Sequence, residues 1–388
     1  MQGEGGVFVN TLDLRTGDCR EILPTLAAGS VHACVTDPPY GLSFMGKGWD
    51  HGVPGEPFWR EVLRVLKPGA HLVAFGGTRT YHRLTCAIED AGFEVRDCLM
   101  WLYGSGFPKS LDASKAIDKA AGAEREVIGP APYKRGRASQ AYSETRRVSY
   151  DYPPQPITAA TTDAARQWQG WGTALKPAWE PIILARKPLT GTVAQNVQAH
   201  GTGALNVDGC RIGTEERPHV ISDRRSGNMV YGDGPNGSRQ VAPTSLGRWP
   251  ANVLLDEEAA ALLDAQSGSR QSGEYGGLGY NGWGKVPMPA IEGDSGGASR
   301  FFYTSKASRR EREGSKHPTV KPLDLMRWLV RLVTPPGGTV LDPFAGTGTT
   351  GEAALMEGFS CVLIEREAEY VTDIENRLRE TQLGLVLT

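Results

Sequence analysis

The segment Gly346-Thr-Gly348-Thr-Thr-Gly351 lies between a strand-like run, TVLD, and a helical one, TTGEAALMEG, near the far end of the chain. A glycine-rich turn from strand to helix opens a nucleoside-binding α/β half, because its glycines let the backbone approach a ligand at the helix start. Glu365 ends the next strand about 20 residues on, where an acid accepts hydrogen bonds from ribose hydroxyls. Here that unit comes last and stops after its second helix, AEYVTDIENRLRE, so its third strand must come from elsewhere. TLDLRTGD near the N-terminus supplies one. Joined end to end, the segments read strand, glycine loop, helix, strand, Glu365, helix, strand, Asp18, helix, strand. That unbroken alternation predicts one α/β domain whose chain is entered in the middle, a circular permutation. No Gly-Lys-Ser or Gly-Lys-Thr follows the loop, which argues against a nucleotide-triphosphate phosphate loop. A glycine turn that serves only strand-to-helix packing is the plainer alternative.

The rest of the chain fits that domain with two interruptions. From about residue 8 to 110, short apolar runs (VHACVTD, AHLVAFGG, FEVRDCLMWLY) alternate with helical segments (CREILPTLAAGS, EPFWREVLRVL, RTYHRLTCAIEDAG). Lys67-Pro68-Gly69 is expected to stop the second of these helices. Such alternation predicts a mostly parallel sheet with helices on both faces. A polar insertion at about 104–172 has helical turns near 110–121 and a basic cluster of Lys134, Arg135, Arg137, Arg146 and Arg147. Another buried strand spans Glu180 to Ala185. Residues 187–300 are rich in glycine and read as functional loops, with regular core structure sparse. Among them stand Arg211, Arg217, His219, Arg224, Arg225, Arg239, Arg248 and Lys285, with Tyr231, Trp249, Tyr275, Tyr280 and Trp283, a mixture suited to phosphates and base edges. Order returns at 321 with the amphipathic run PLDLMRWLVRLV, ended by Pro335-Pro336-Gly337. The expected organisation is a catalytic part at 8–186, a target-recognition region at 187–300 and a cofactor-binding part of the same domain at 301–388.

Which nucleoside is at stake depends on Asp37-Pro38-Pro39-Tyr40, at the end of VHACVTD. Two prolines cannot donate ladder hydrogen bonds, so the strand must stop and present a carboxylate, a free carbonyl and an aromatic ring at its carboxyl end. An exocyclic base amine needs this set. Its lone pair is conjugated into the ring, and hydrogen bonds from its N–H groups to Asp37 and the Pro38 carbonyl localise it, while Tyr40 can stack on a base swung out of the duplex. The plainer alternative is a strand ended by a Pro-Pro turn.

DPPYG, HPTVKP and DPFAGTGTT, in that order, resemble the beta class of amino-methylating DNA methyltransferases, which act on adenine N6 or cytosine N4. The resemblance covers roughly residues 8–103, 176–188 and 300–378. It implies a Rossmann-like S-adenosylmethionine-dependent methyltransferase fold, circularly permuted, with a large loop-rich insertion. It implies Asp37, Pro38, Pro39 and Tyr40 as the catalytic set. For S-adenosyl-L-methionine it implies Asp18 at the adenine amino group, Glu365 at the ribose, Asp342, Phe344, Gly346 and Gly348 in the loop, and Thr319 and Lys321 near the methionine carboxylate. Asp at the first position of the motif favours adenine within the family, so the expectation is N6 methylation of double-stranded DNA by base flipping and direct in-line transfer, with N4-cytosine the nearest alternative. A homodimer and a cognate restriction endonuclease are compatible partners that the sequence leaves open. More distant alternatives are an NAD-dependent oxidoreductase and a DNA-binding protein that keeps the shell without the chemistry.

Composition bounds these readings. The 42 basic and 44 acidic residues give a net charge of −2, which argues against a partner held by bulk charge and leaves room for a local basic cleft. Six scattered cysteines without a CxxC pair, and no basic-then-apolar leader, suggest reduced thiols and a cytoplasmic setting. No run approaches the ~18 apolar residues of a membrane span. The seven histidines are too dispersed to suggest a metal site, so none is expected.

Overall fold

A computed structural model describes residues 10–42, 52–104, 106, 110–129, 156–213, 217–222, 238–244, 247–271, 275–280, 285–291, 295–306 and 320–386. They fall into two compact units: Tyr103–Ala178, and the chain on either side of it.

The flanking unit is built on a sheet of nine strands among the described residues: β1 (Leu12–Thr16), β2 (Val31–Thr36), β3 (Leu66–Phe75), β4 (Glu94–Leu102), β5 (Trp179–Arg186), β6 (Val253–Asp256), β7 (Tyr303–Ser305), β8 (Thr339–Asp342) and β9 (Ser360–Glu365). Their spatial order is β1-β9-β8-β2-β3-β5-β4-β6-β7. Only β5 runs antiparallel to its neighbours. The helices are α1 (Cys19–Ile22), α2 (Glu56–Val65), α3 (Tyr81–Asp90), α4 (Val193–His200), α5 (Glu257–Ser267), α6 (Leu323–Val333), α7 (Thr349–Met356) and α8 (Ala368–Val386).

Both faces of the central strands are apolar, as a parallel sheet between two helical layers requires. On one face Ala33, Val35, Val73, Phe75, Ile182 and Leu184 pack with Leu329 and Val330 of α6 and Ala353 of α7. On the other, Cys34, Leu72, Ala74, Ile183 and Ala185 meet Trp59 and Val62 of α2 and Leu84 and Ile88 of α3. Each such Leu, Ile or Val contributes about 1.5–3 kcal/mol by leaving water.

The first strand completes the unit that the last helix leaves unfinished. β1 pairs in parallel with β9, Thr16 opposite Glu365, and the Gly17 N–H donates to the Glu365 carbonyl at 2.9 Å. The chain therefore builds outward from β2 in two directions, through β3 on one side and through β8, β9 and β1 on the other. Ligands of open α/β sheets bind outside the carboxyl ends of the strands at such a switch point.

Three details differ from the sequence expectation. CREILPTLAAGS forms only the four-residue α1 and a 3-10 turn at Leu23–Thr25, with Pro24 in its first turn. Lys67-Pro68-Gly69 does not lie between α2 and the strand but inside β3, which begins at Leu66. A register shift between the Val31–Leu66 and Ala33–His71 pairs absorbs the extra residues, with Gly69 in the left-handed region at φ 77°. The region at 187–300 is also less loop-like than its glycine content suggests: β6 joins the main sheet beside β4, and α4 opens on a capping box between Thr192 and Gln195.

The Tyr103–Ala178 unit holds helices Ala113–Ala120 and Asp163–Gln167 and a ribbon pairing Val127–Gly129 with Ile157–Thr158. Its basic cluster, Lys134 to Arg147, lies outside the described residues. No helix among the described residues is long and apolar enough to cross a membrane.

Candidate active site

The switch point brings the two sequence motifs together. β2 and β8 are parallel neighbours, so Thr36, the last residue before Asp37, lies beside Asp342, which opens the glycine loop. The Thr36 hydroxyl donates to Asp342 Oδ1 at 2.7 Å. The Thr350 hydroxyl, from the first turn of α7, donates to Oδ2 at 2.5 Å, and the Phe344 N–H to Oδ1 at 3.0 Å. Asp342 is buried, and burial pushes its carboxyl up to about 6 although these three donors act the other way. Asp342 thus ties both ends of the loop to the strand end that carries Asp37.

The loop itself turns through two left-handed glycines, Gly346 at φ 55° and Gly348 at φ 80°, the latter capping α7. Gly351 serves packing: a Cβ there would lie 2.5 Å from Leu363 Cδ1 of β9. Glu365 accepts the Gly346 N–H at 2.8 Å and the Glu367 N–H at 2.9 Å, and burial raises its proton affinity. Asp18, at the end of the adjacent β1, caps α1 by accepting the Arg20 N–H at 2.9 Å; the Arg20 guanidinium holds its carboxyl down at about 2. Phe344 packs its ring against Phe58, centroids 5.1 Å apart.

On the other side of β2, four polar side chains form a cluster of which the sequence identified three. The Tyr40 hydroxyl donates to Asp37 Oδ1 at 2.8 Å. Lys321 Nζ lies 3.1 Å from Asp37 Oδ2, 2.9 Å from the Tyr40 hydroxyl and 2.8 Å from Glu180 Oε2. The same Glu180 oxygen is 3.3 Å from the Tyr40 hydroxyl. Lys321 is buried, with its ammonium 4.7 Å from the centre of the Phe75 ring. Burial works against its charge, but Asp37 and Glu180 outweigh it and hold its pKa above the ordinary lysine value. Burial and the same two carboxylates keep the Tyr40 phenol protonated far above its usual range. Three acceptors therefore engage the three N–H donors of Lys321, on the side of the site that holds Asp37. Glu180 escaped the sequence reading; its only signal there is a carboxylate opening the apolar strand PIILA. Thr319 lies outside the described residues.

Three distant segments meet elsewhere on this unit. Ile212 and Arg248 pair through backbone bonds of 2.7 and 2.9 Å, and the Arg248 guanidinium donates to the Arg300 carbonyl at 3.3 Å. The Arg211 guanidinium stacks over Trp249, and those of Arg248 and Arg300 over Phe301, with both rings exposed. Of the other residues singled out at 187–300, Arg224, Arg225, Tyr231 and Trp283 lie outside the described residues. Arg217, His219 and Arg239 fall on one two-stranded ribbon, Tyr275, Tyr280 and Lys285 on another.

A family model described as DNA methylase matches residues 31–376. Over 85% of its length the chain is 24% identical to the Type II methyltransferase M.HindIII of Haemophilus influenzae, spanning 82% of that protein. A 59-residue stretch, 15% of the chain, is 42% identical to the DNA adenine methyltransferase YhdJ of Escherichia coli K12 and spans 20% of it. Among solved structures, an M1.HpyAVI-SAM complex aligns with 95% of this chain and 99% of its own at 15% identity and a TM-score of 0.42.

Proposed function

Because the chain belongs to the DNA methylase family, we propose that it methylates the N6 amine of adenine in double-stranded DNA, with S-adenosylmethionine as donor. One observation carries the reading: the Thr36–Asp342 hydrogen bond sets Asp37-Pro38-Pro39-Tyr40 beside the glycine loop at a single sheet edge. Neither motif alone specifies methyl transfer to an amine; their adjacency supports it.

The donor set suits the cofactor. Asp18 and Glu365 end neighbouring parallel strands and offer carboxylate acceptors to the amino and hydroxyl groups of a nucleoside. Gly346 and Gly348 keep the loop backbone open to close approach. Phe344 and Asp342 complete the loop, and Thr319 belongs with them by its motif. When bound, the cofactor supplies an electrophilic methyl group on a sulfonium. Asp37 and the Pro38 carbonyl then accept the two N–H bonds of the target amine, which localises its lone pair along the line of transfer. Pro39 fixes the turn that leads to Tyr40. Lys321, expected near the methionine carboxylate, has its donors on Asp37, Tyr40 and Glu180, and we assign it instead to the amine side of the site. Positioning and electrostatics supply the catalysis, and no covalent enzyme intermediate is needed. A cytosine C5 enzyme would require a nucleophilic cysteine after a proline, and the chain has no Pro-Cys pair.

Asp at the head of the motif, together with the local match to an adenine methyltransferase, supports adenine. The exposed Arg–aromatic stacks at Trp249 and Phe301 suit contact with the DNA backbone and bases. Mass spectrometry of nucleosides from DNA treated with the protein is expected to show N6-methyladenine, and Asp37→Ala to abolish it. N4-methylcytosine alone would replace the adenine assignment. An Asp37→Ala protein as active as wild type would remove the catalytic one.

A further inference from the structure

Glu180 comes from β5, the reversed strand, and touches both groups that occupy Asp37. We propose that Glu180 is a positioning residue, a second acceptor that keeps Lys321 and Tyr40 when Asp37 turns to the target amine. The proposal rests on the methyl-transfer reading above.

Both Asp37 oxygens already hold donors, Oδ1 that of Tyr40 at 2.8 Å and Oδ2 that of Lys321 at 3.1 Å. Each oxygen keeps a second lone pair, but an N–H from a base must share the carboxylate with these donors, so accepting it weakens their hold. A buried ammonium or phenol left without an acceptor is costly, so with Asp37 as sole partner the release would oppose substrate binding. Glu180 Oε2 removes that opposition, because it lies 2.8 Å from Lys321 and 3.3 Å from the Tyr40 hydroxyl before any movement occurs. Charge supports the assignment. Two carboxylates face one ammonium, so when the charge of Asp37 serves the amine, that of Lys321 remains balanced. Among the described residues, the groups facing Lys321 are Asp37 and Tyr40 beyond the end of β2, Glu180 on β5 and the Phe75 ring on β3; the charge of Asp37 also reaches Asp342 of β8.

Glu180→Gln keeps the shape and one acceptor but removes the charge, which leaves Asp37 as the one carboxylate paired with Lys321 among the described residues. In the full-length protein, kcat near neutral pH is expected to fall at least about tenfold, with KM for DNA and for S-adenosylmethionine within about twofold. A kcat within twofold of wild type, or a fall in kcat matched by an equal rise in KM for DNA, would overturn the proposal. Should Glu180→Gln not fold by its melting curve, Glu180→Ala assayed with and without formate at matched ionic strength decides: rescue by the added carboxylate supports the role, and no rescue refutes it. A wild-type protein without methyl transfer would instead defeat the functional reading.

Discussion

At Gly348 the backbone is left-handed, φ 80°, and an added methyl group would meet Ile374 of α8 at 3.1 Å. The left-handed conformation alone costs an L residue roughly 1–2 kcal/mol. Gly348→Ala is therefore expected to lower the melting temperature and, by displacing the loop that begins at Asp342, to weaken S-adenosylmethionine binding in calorimetry. Gly351→Ala makes the comparison informative. Its obstacle is Leu363 of β9, so it should cost stability with a smaller effect on affinity. Equal losses of affinity in the two variants would show that the turn at Gly348 has no special part in binding. The motif made all three glycines visible in the sequence, but not their division of labour, which depends on what each missing Cβ would touch.

Between elements, buried carboxylates decide how segments dock. In the Tyr103–Ala178 unit, Asp118 of helix Ala113–Ala120 is fully buried and accepts the N–H groups of Thr161 and Thr162 at 3.0 Å each, the Thr162 hydroxyl at 2.7 Å and Arg125 at 2.6 Å. Thr162 in turn caps helix Asp163–Gln167. One side chain thus joins two helices. Burial alone would raise the Asp118 pKa, yet the donors from Thr161 and Thr162 bring it down to about 2, below the ordinary 3.8. Its contribution is present above pH 4 and is lost as pH falls from about 4 to 2. Asp118→Asn is expected to speed amide hydrogen exchange in residues 113–120 and 161–167 at neutral pH, with strands β2 and β8 unaffected. Unchanged exchange there would deny the clamp. Sequence periodicity placed the helical turns near 110–121, because a helix declares itself every three to four residues. It could not reveal Asp118 or Glu180, single polar residues whose partners stand far away in the chain. The start of β3 was hidden for a related reason: Lys67-Pro68-Gly69 has the composition of a turn, and only pairing with β2 makes it a bulged strand.

Across the whole molecule, the permuted order was legible because the C-terminal unit lacks a strand and the N-terminus offers one; the reversal of β5 was not, since an apolar run carries no direction. That reversal has an electrostatic consequence. It sets Arg186 opposite His71 in the β3–β5 register, and burial, with Arg186 and Arg96 nearby, pushes the His71 pKa down to about 4 from 6.5. The folded state binds this proton later than the unfolded state. Stability present above pH 6.5 is therefore lost as pH falls toward 4, on the order of 3 kcal/mol from this residue. His32, pushed down to about 4 by burial and then by Lys67, acts in the same direction. Asp342 acts against them: its carboxyl, raised to about 6, takes up a proton first in the folded state and gains stability between pH 6 and 3.8. Two histidines against one aspartate leave a net loss, so the wild-type melting temperature is expected to drop between pH 7 and pH 5. His71→Gln isolates the cause, since it removes the titration and leaves His32 and Asp342 in place. Its drop over the same interval should be smaller than that of wild type, and parallel drops would show that His71 does not couple the sheet to pH.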